Sequence, residues 1–190
     1  TGAYATAIGP QATASGEASI AMGYQSTASG TLSTAMGSSS IASGISAITI
    51  GSNTTASGSN AIAMGYLSTA SGQSATAMGY ETTASGKYST TMGLHTKAEA
   101  YASAALGFYN EGGGDPNVFI DTDPIFEIGN GTDNANRTNA LTILKNGTIL
   151  APTFDTTEIT NDKALVTKEY VAAQDAAQDA AQDAVINALI

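Results

Sequence analysis

Residues 19–32 read SIAMGYQSTASGTL and residues 61–74 read AIAMGYLSTASGQS, two versions of one fourteen-residue unit. Working outward from them, glycine falls at Gly2, Gly9, Gly16, Gly23, Gly30, Gly37, Gly44, Gly51, Gly58, Gly65, Gly72, Gly79, Gly86 and Gly93. Ala100 holds the next place and Gly107 the one after, and no glycine before residue 108 lies off this register. A period so strict is a requirement of the backbone and predicts a turn every seven residues.

The residue before each glycine alternates in kind, which doubles the repeat. Ile8, Met22, Met36, Ile50, Met64, Met78, Met92 and Leu106 form one series, and Ser15, Ser29, Ser43, Ser57, Ser71 and Ser85 form the other. The few residues left between turns are too short for a helix and suit a short strand. In such a strand side chains alternate faces, so the positions two and four before each glycine point the same way. They are nearly all Ala, Ser or Thr, as in Ser19 with Ala21 and Ser26 with Ala28, which describes a very thin tube.

The opposite faces differ between the two strands of each coil. One carries Ile20, Met22, Met36, Ile48, Ile50, Ile62, Met64, Met78, Met92 and Leu106; the other carries Thr and Ser, as in Thr69 with Ser71. Stacked coils therefore present one apolar ridge and one hydroxyl ridge. An apolar ridge along the outside of a solenoid needs a cover, and the same ridge of another chain supplies one. These ten residues are the predicted interface with another copy of the chain.

Composition removes other classes of function. The 190 residues hold 6 Lys and Arg against 16 Asp and Glu, a net charge of -10, with no basic cluster to neutralise nucleic-acid phosphates. Cys and Trp are absent and His95 is the one histidine, so thiolate chemistry, disulfides, Cys/His zinc sites and most nucleophile–histidine pairs are not available. No enzyme activity, cofactor or metal is expected. No apolar run approaches the ~20 residues of a membrane span, so no membrane contact is expected within this chain.

The repeat resembles the head repeat of trimeric autotransporter adhesins of the YadA type, found in bacterial haemagglutinins and invasins, with the match covering residues 1–107. The resemblance implies a left-handed parallel β-roll in which each unit is one coil. It also implies three rolls packed with their apolar strands inward, and adhesion to extracellular matrix, host surface or glycan by a fibre anchored in the outer membrane through other parts. A phage tail-fibre segment of the virion is the alternative, and an ice-binding solenoid a further one.

Composition changes at Phe108. Residues 108–160 read as a small β connector with Asn-Gly turns at Asn130 and Asn146. Residues 161–190 lack Gly and Pro and read as the start of a trimeric coiled-coil stalk, with Ala173, Ala177, Ala180, Ala184 and Ala188 spaced near eleven residues per three turns. The segment ITNDKALVTKEYV, residues 159–171, sits where a neck would but departs from the family's neck pattern; residues 126–171 resemble surface-fibre and phage tail-fibre connectors instead. Beginning inside a repeat and stopping inside a helix, the chain reads as a piece of a longer fibre.

Few residues invite chemistry. His95 follows a turn with only Glu99 as a nearby carboxylate in sequence, and reads as an exposed loop histidine. Asp115, Asp121 and Asp123 lack the spacing of a calcium loop and read as a solvated acidic loop. Tyr24, Tyr66 and Tyr80 share one place after Met-Gly, either as a ligand surface or, as the favoured reading, as packing between coils or chains.

Overall fold

The computed structural model describes residues 1–152, and they are β throughout. The connector residues beyond 152 and the stalk expected over 161–190 lie outside the described residues. The first coils comprise β1 (Thr6–Ile8), β2 (Thr13–Ala14), β3 (Ile20–Met22), β4 (Thr27–Ala28), β5 (Thr34–Ser38) and β6 (Ile41–Ala42). Next come β7 (Ile48–Ser52), β8 (Thr55–Ala56), β9 (Ile62–Tyr66), β10 (Thr69–Ala70), β11 (Thr76–Tyr80) and β12 (Thr83–Ala84). The last are β13 (Thr90–Leu94), β14 (Lys97–Ala98), β15 (Ala104–Phe108), β16 (Pro124–Asn130), β17 (Asn139–Leu144) and β18 (Ile149–Leu150).

Odd strands β1 to β15 stack in parallel in one sheet, and even strands β2 to β14 stack in a second sheet of seven strands. One strand from each makes a coil, giving a β-solenoid of about seven turns. Equivalent residues lie in register from coil to coil: Ile62 pairs with Thr76, Met64 with Met78 and Gly65 with Gly79. The inside is as narrow as the small residues require. Every buried apolar residue among those described is an alanine, and Ser19, Ser26, Ser33, Thr54 and Thr82 are among the Ser and Thr that fill other inner places at 0 % exposure.

The glycines act differently from a simple turn signal. In each turn the left-handed residue lies two places after the glycine and is not itself glycine: Gln11, Ala18, Gln25, Leu32, Asn53, Leu67 and Glu81 are among sixteen such residues with φ between 46 and 60°. From Ala18 onward a hydrogen bond to the coil below holds each one, as when Leu67 N–H donates to Ser52 O at 3.0 Å and Tyr88 N–H to Gln73 O at 2.8 Å. Glycine is needed because the coils nearly touch there. A Cβ on Gly58, whose φ is ordinary, would drive into the carbonyl of Gly72 well inside 3.0 Å. Gly65 meets the same obstacle at Gly79 and has in addition a φ of +113°.

After Phe108 the chain makes an excursion over residues 109–123 and then returns to the sheet. β16 pairs in parallel with β15, placing Ile128 beside Leu106 and Gly129 beside Gly107. β17 then runs antiparallel to β16, and β18 antiparallel to β17, so eleven strands share one sheet. Asn146 and Gly147, the latter at φ 86°, form the turn between β17 and β18, whereas Asn130 ends strand β16.

Candidate interaction surface

The outward face of the larger sheet carries an unbroken apolar column. Ile8, Met22, Met36, Ile50, Met64, Met78, Met92, Leu106 and Ile128 pair in register, each one strand from the next. Ile20, Ile48 and Ile62 stand in a parallel column with threonines at Thr34 and Thr76. Ile20, Met36, Ile50 and Met92 are exposed, while Met22, Ile48, Ile62, Met64, Met78 and Leu106 are half-buried by their neighbours along the column. All ten residues expected on the ridge thus share one outer face. Ile128 extends it and was not anticipated, because the 109–123 excursion shifts Ile128–Gly129 off the seven-residue register that Leu106–Gly107 obeys.

Beside that column runs a second one, one glycine further along each strand. Ser38, Ser52, Tyr66, Tyr80, Leu94 and Phe108 pair in sequence along it. Tyr24 at the equivalent place is 50 % exposed, Tyr66 40 % and Tyr80 44 %. The rings of Tyr66 and Tyr80 stack at 5.0 Å, so their faces cover each other. On the smaller sheet, Thr13, Thr27, Thr55, Thr69 and Thr83 align in the hydroxyl ridge, interrupted by Ile41 and closed by Lys97.

A family model, the YadA head domain repeat, matches residues 1–26, 28–54, 42–68 and 70–95. The chain carries a YadA-type head domain. Among solved structures it is similar to the collagen-binding domain of the Yersinia adhesin YadA, at 19% identity over 92% of this chain and 98% of that one, with a TM-score of 0.42. No curated protein matches the chain.

The far end of this YadA-type roll is closed by polar side chains that the repeat pattern does not reveal. Asn110 continues the inner hydroxyl column one coil beyond Thr96, where its amide substitutes for another strand. Lys97 N–H donates to Asn110 Oδ1 at 2.7 Å, and Asn110 Nδ2 donates to Lys97 O at 2.8 Å, pairing the edge that β14 would leave open. Glu127 occupies the inward place held by Ala105 one strand before, at 2 % exposure. Asn110 Nδ2 donates to its Oε2 at 2.8 Å, while Asn139 Nδ2 and Gly112 N–H donate to Oε1 at 2.6 and 3.2 Å.

Burial raises the Glu127 pKa above its ordinary value, and the hydrogen bonds from Asn139, Asn110 and Gly112 offset only part of that. A folded pKa raised above the unfolded one means that the folded state holds the proton more tightly. The group's contribution is therefore fully favourable below the unfolded pKa and is lost as pH rises through the folded pKa. Glu127→Gln removes this dependence. The melting temperature of the variant minus that of the parent is expected to be more positive at neutral pH than at about pH 4, and thermal melts across that range check it.

His95 does not stand exposed as expected. Its side chain is 14% exposed, and Nδ1 lies 3.1 Å from Glu81 Oε2, a carboxylate one coil away and thus distant in sequence. The ring stacks on Tyr109 at 4.6 Å, and Arg137 lies 5.7 Å above the Tyr109 ring. Arg137 also donates to the carbonyls of His95 and Asn110, at 2.8 and 2.9 Å, fastening the β16–β17 connection to the roll. The acidic loop is likewise engaged: Asp123 Oδ2 accepts Asp115 N–H at 2.8 Å, and Asp115 Oδ1 accepts Asn117 and Val118 N–H. Among the described residues no group of three or more His, Asp or Glu is placed to hold a metal, and no helix is long and apolar enough to cross a membrane.

Proposed function

We propose that this chain is a head segment of a homotrimeric, non-enzymatic adhesive fibre displayed at a cell surface, attaching to an extracellular-matrix, host-surface or glycan ligand. Three left-handed rolls pack with the Ile8-to-Ile128 face toward their common axis. The observation that carries this reading is that apolar column, in register over nine strands and uncovered in the single chain. An apolar face of that continuity calls for a partner of equal length and period, and a second copy of the same chain has both. Sedimentation or light scattering is expected to give a trimer; a monomer contradicts the reading. An array of matrix proteins, collagen included, and glycans tests the ligand class.

Tyr24, Tyr66 and Tyr80 form the ligand-facing strip in this proposal. Changing Tyr66 and Tyr80 together to Ser is expected to weaken binding to the captured ligand about tenfold while leaving the mass of the assembly unchanged. Loss of the trimer in that variant assigns the tyrosines to packing between chains.

A further inference from the structure

We propose that Lys145 and Asp123 condense into an intramolecular amide that staples the closed end of the roll. Lys145 sits in the turn between β17 and β18, and that turn is laced to the segment leading into β16. Lys145 N–H donates to Asp123 O at 3.0 Å and Asn146 N–H to Asp121 O at 2.9 Å. The Lys145 side chain is 1% exposed, and its Nζ has no hydrogen-bond partner. Nζ lies 3.8 Å from Asp123 Oδ2, with the ring centroids of Phe119 and Tyr101 at 5.3 and 5.9 Å.

The carboxyl group is enclosed as well, though less completely. Its side chain is 13% exposed and Oδ2 accepts Asp115 N–H at 2.8 Å. Gly114 packs directly on it, so closely that a Cβ there would come within 2.9 Å of Asp123 Cγ and 2.6 Å of the Ala100 methyl. An amine and a carboxyl group are thus held side by side between two aromatic rings and a glycine backbone, with little access for water.

Two opposite charges buried without a hydrogen bond between them leave much of their desolvation uncompensated. Condensation removes both. Within the pair a proton passes from the ammonium to the carboxylate, giving amine and acid. The Nζ lone pair attacks Asp123 Cγ, a C–N bond forms, and charge developing on Oδ2 is met by the Asp115 N–H. The bond from Cγ to Oδ1 then breaks, and that oxygen leaves as water with the acid proton and one proton from Nζ. No oxidant, reductant or other reactant is consumed, and the fold supplies the proximity that makes the encounter effectively unimolecular. The chain has no cysteine, so no disulfide can serve as a covalent tie.

The test is the intact mass of the purified full chain with its tryptic map. The expected result is a mass lower by one water, a branched peptide joining Lys145 to Asp123, and no tryptic cleavage after Lys145. Lys145→Arg is expected to restore the full mass. A parent chain at full mass overturns the proposal. So does a loss of water that persists in Lys145→Arg, which would place the dehydration elsewhere, as in an imide at an aspartate. The mass of the parent decides the question even if the variant fails to fold.

Discussion

Gly58→Ala and Gly65→Ala are each expected to destabilise the roll by about 3 to 5 kcal/mol, enough to remove most of the stability of an ordinary domain. The added methyl meets the carbonyl of the glycine one coil further on, a backbone atom that accepts a hydrogen bond from Ala75 N–H at Gly72 and from Ser68 Oγ at Gly79, so there is no flexible side chain to yield to it. Gly65 carries a second cost, because its φ of +113° lies outside the region open to residues with a Cβ. The reverse substitution in the same kind of turn has the opposite sign. Ala18→Gly relieves a left-handed φ of 53°, and is expected to be neutral or stabilising by about 1 kcal/mol. Chemical denaturation of the three variants checks the set. Equal effects at glycine and at the residue two places later would mean that turn conformation, and not the approach of the coils, sets the period.

Met64→Asp with Met78→Asp is expected to abolish the proposed trimer. The two side chains are neighbours on adjacent strands of the apolar column. With three copies packed on that face, each chain would bury two unpaired carboxylates near the axis, at a cost of several kcal/mol per charge even after relaxation. Ser71→Asp with Ser85→Asp places the same charges beside β10 and β12, on the hydroxyl face of the same coils. There the carboxylates keep their water, and each site is expected to change stability by no more than about half a kcal/mol. Mass measurement and thermal melting separate the outcomes. Loss only in the serine variant would show that the hydroxyl face holds the copies together, and equal loss in both would show that the apolar face is not the distinct interface assigned here.

What the repeat encodes by itself is the part of the fold in which every coil meets the same surroundings. The seven-residue glycine period, the inward Ala, Ser and Thr, and the outward Met and Ile can all be read from spacing, because each coil lays the same residue types on the same atoms of the next. The left-handed residues escape such a reading. Gln25, Leu67, Glu81 and His95 share no side-chain chemistry, since a backbone hydrogen bond to the coil below holds their φ positive whatever the side chain.

The end of the roll was decided by tertiary structure, because there the translational symmetry stops and groups that another coil would satisfy need partners from afar. Asn110 takes the place of a strand for Lys97, and Glu127 enters the core at a position that elsewhere holds alanine. Ile128 rejoins the apolar column only after the chain has left the register at residue 109. His95 and Glu81 meet because stacking brings residues one repeat apart into contact, as it does for the rings of Tyr66 and Tyr80. Local spacing specifies an environment that recurs; closing the stack depends on pairings between residues far apart in sequence, which no period announces.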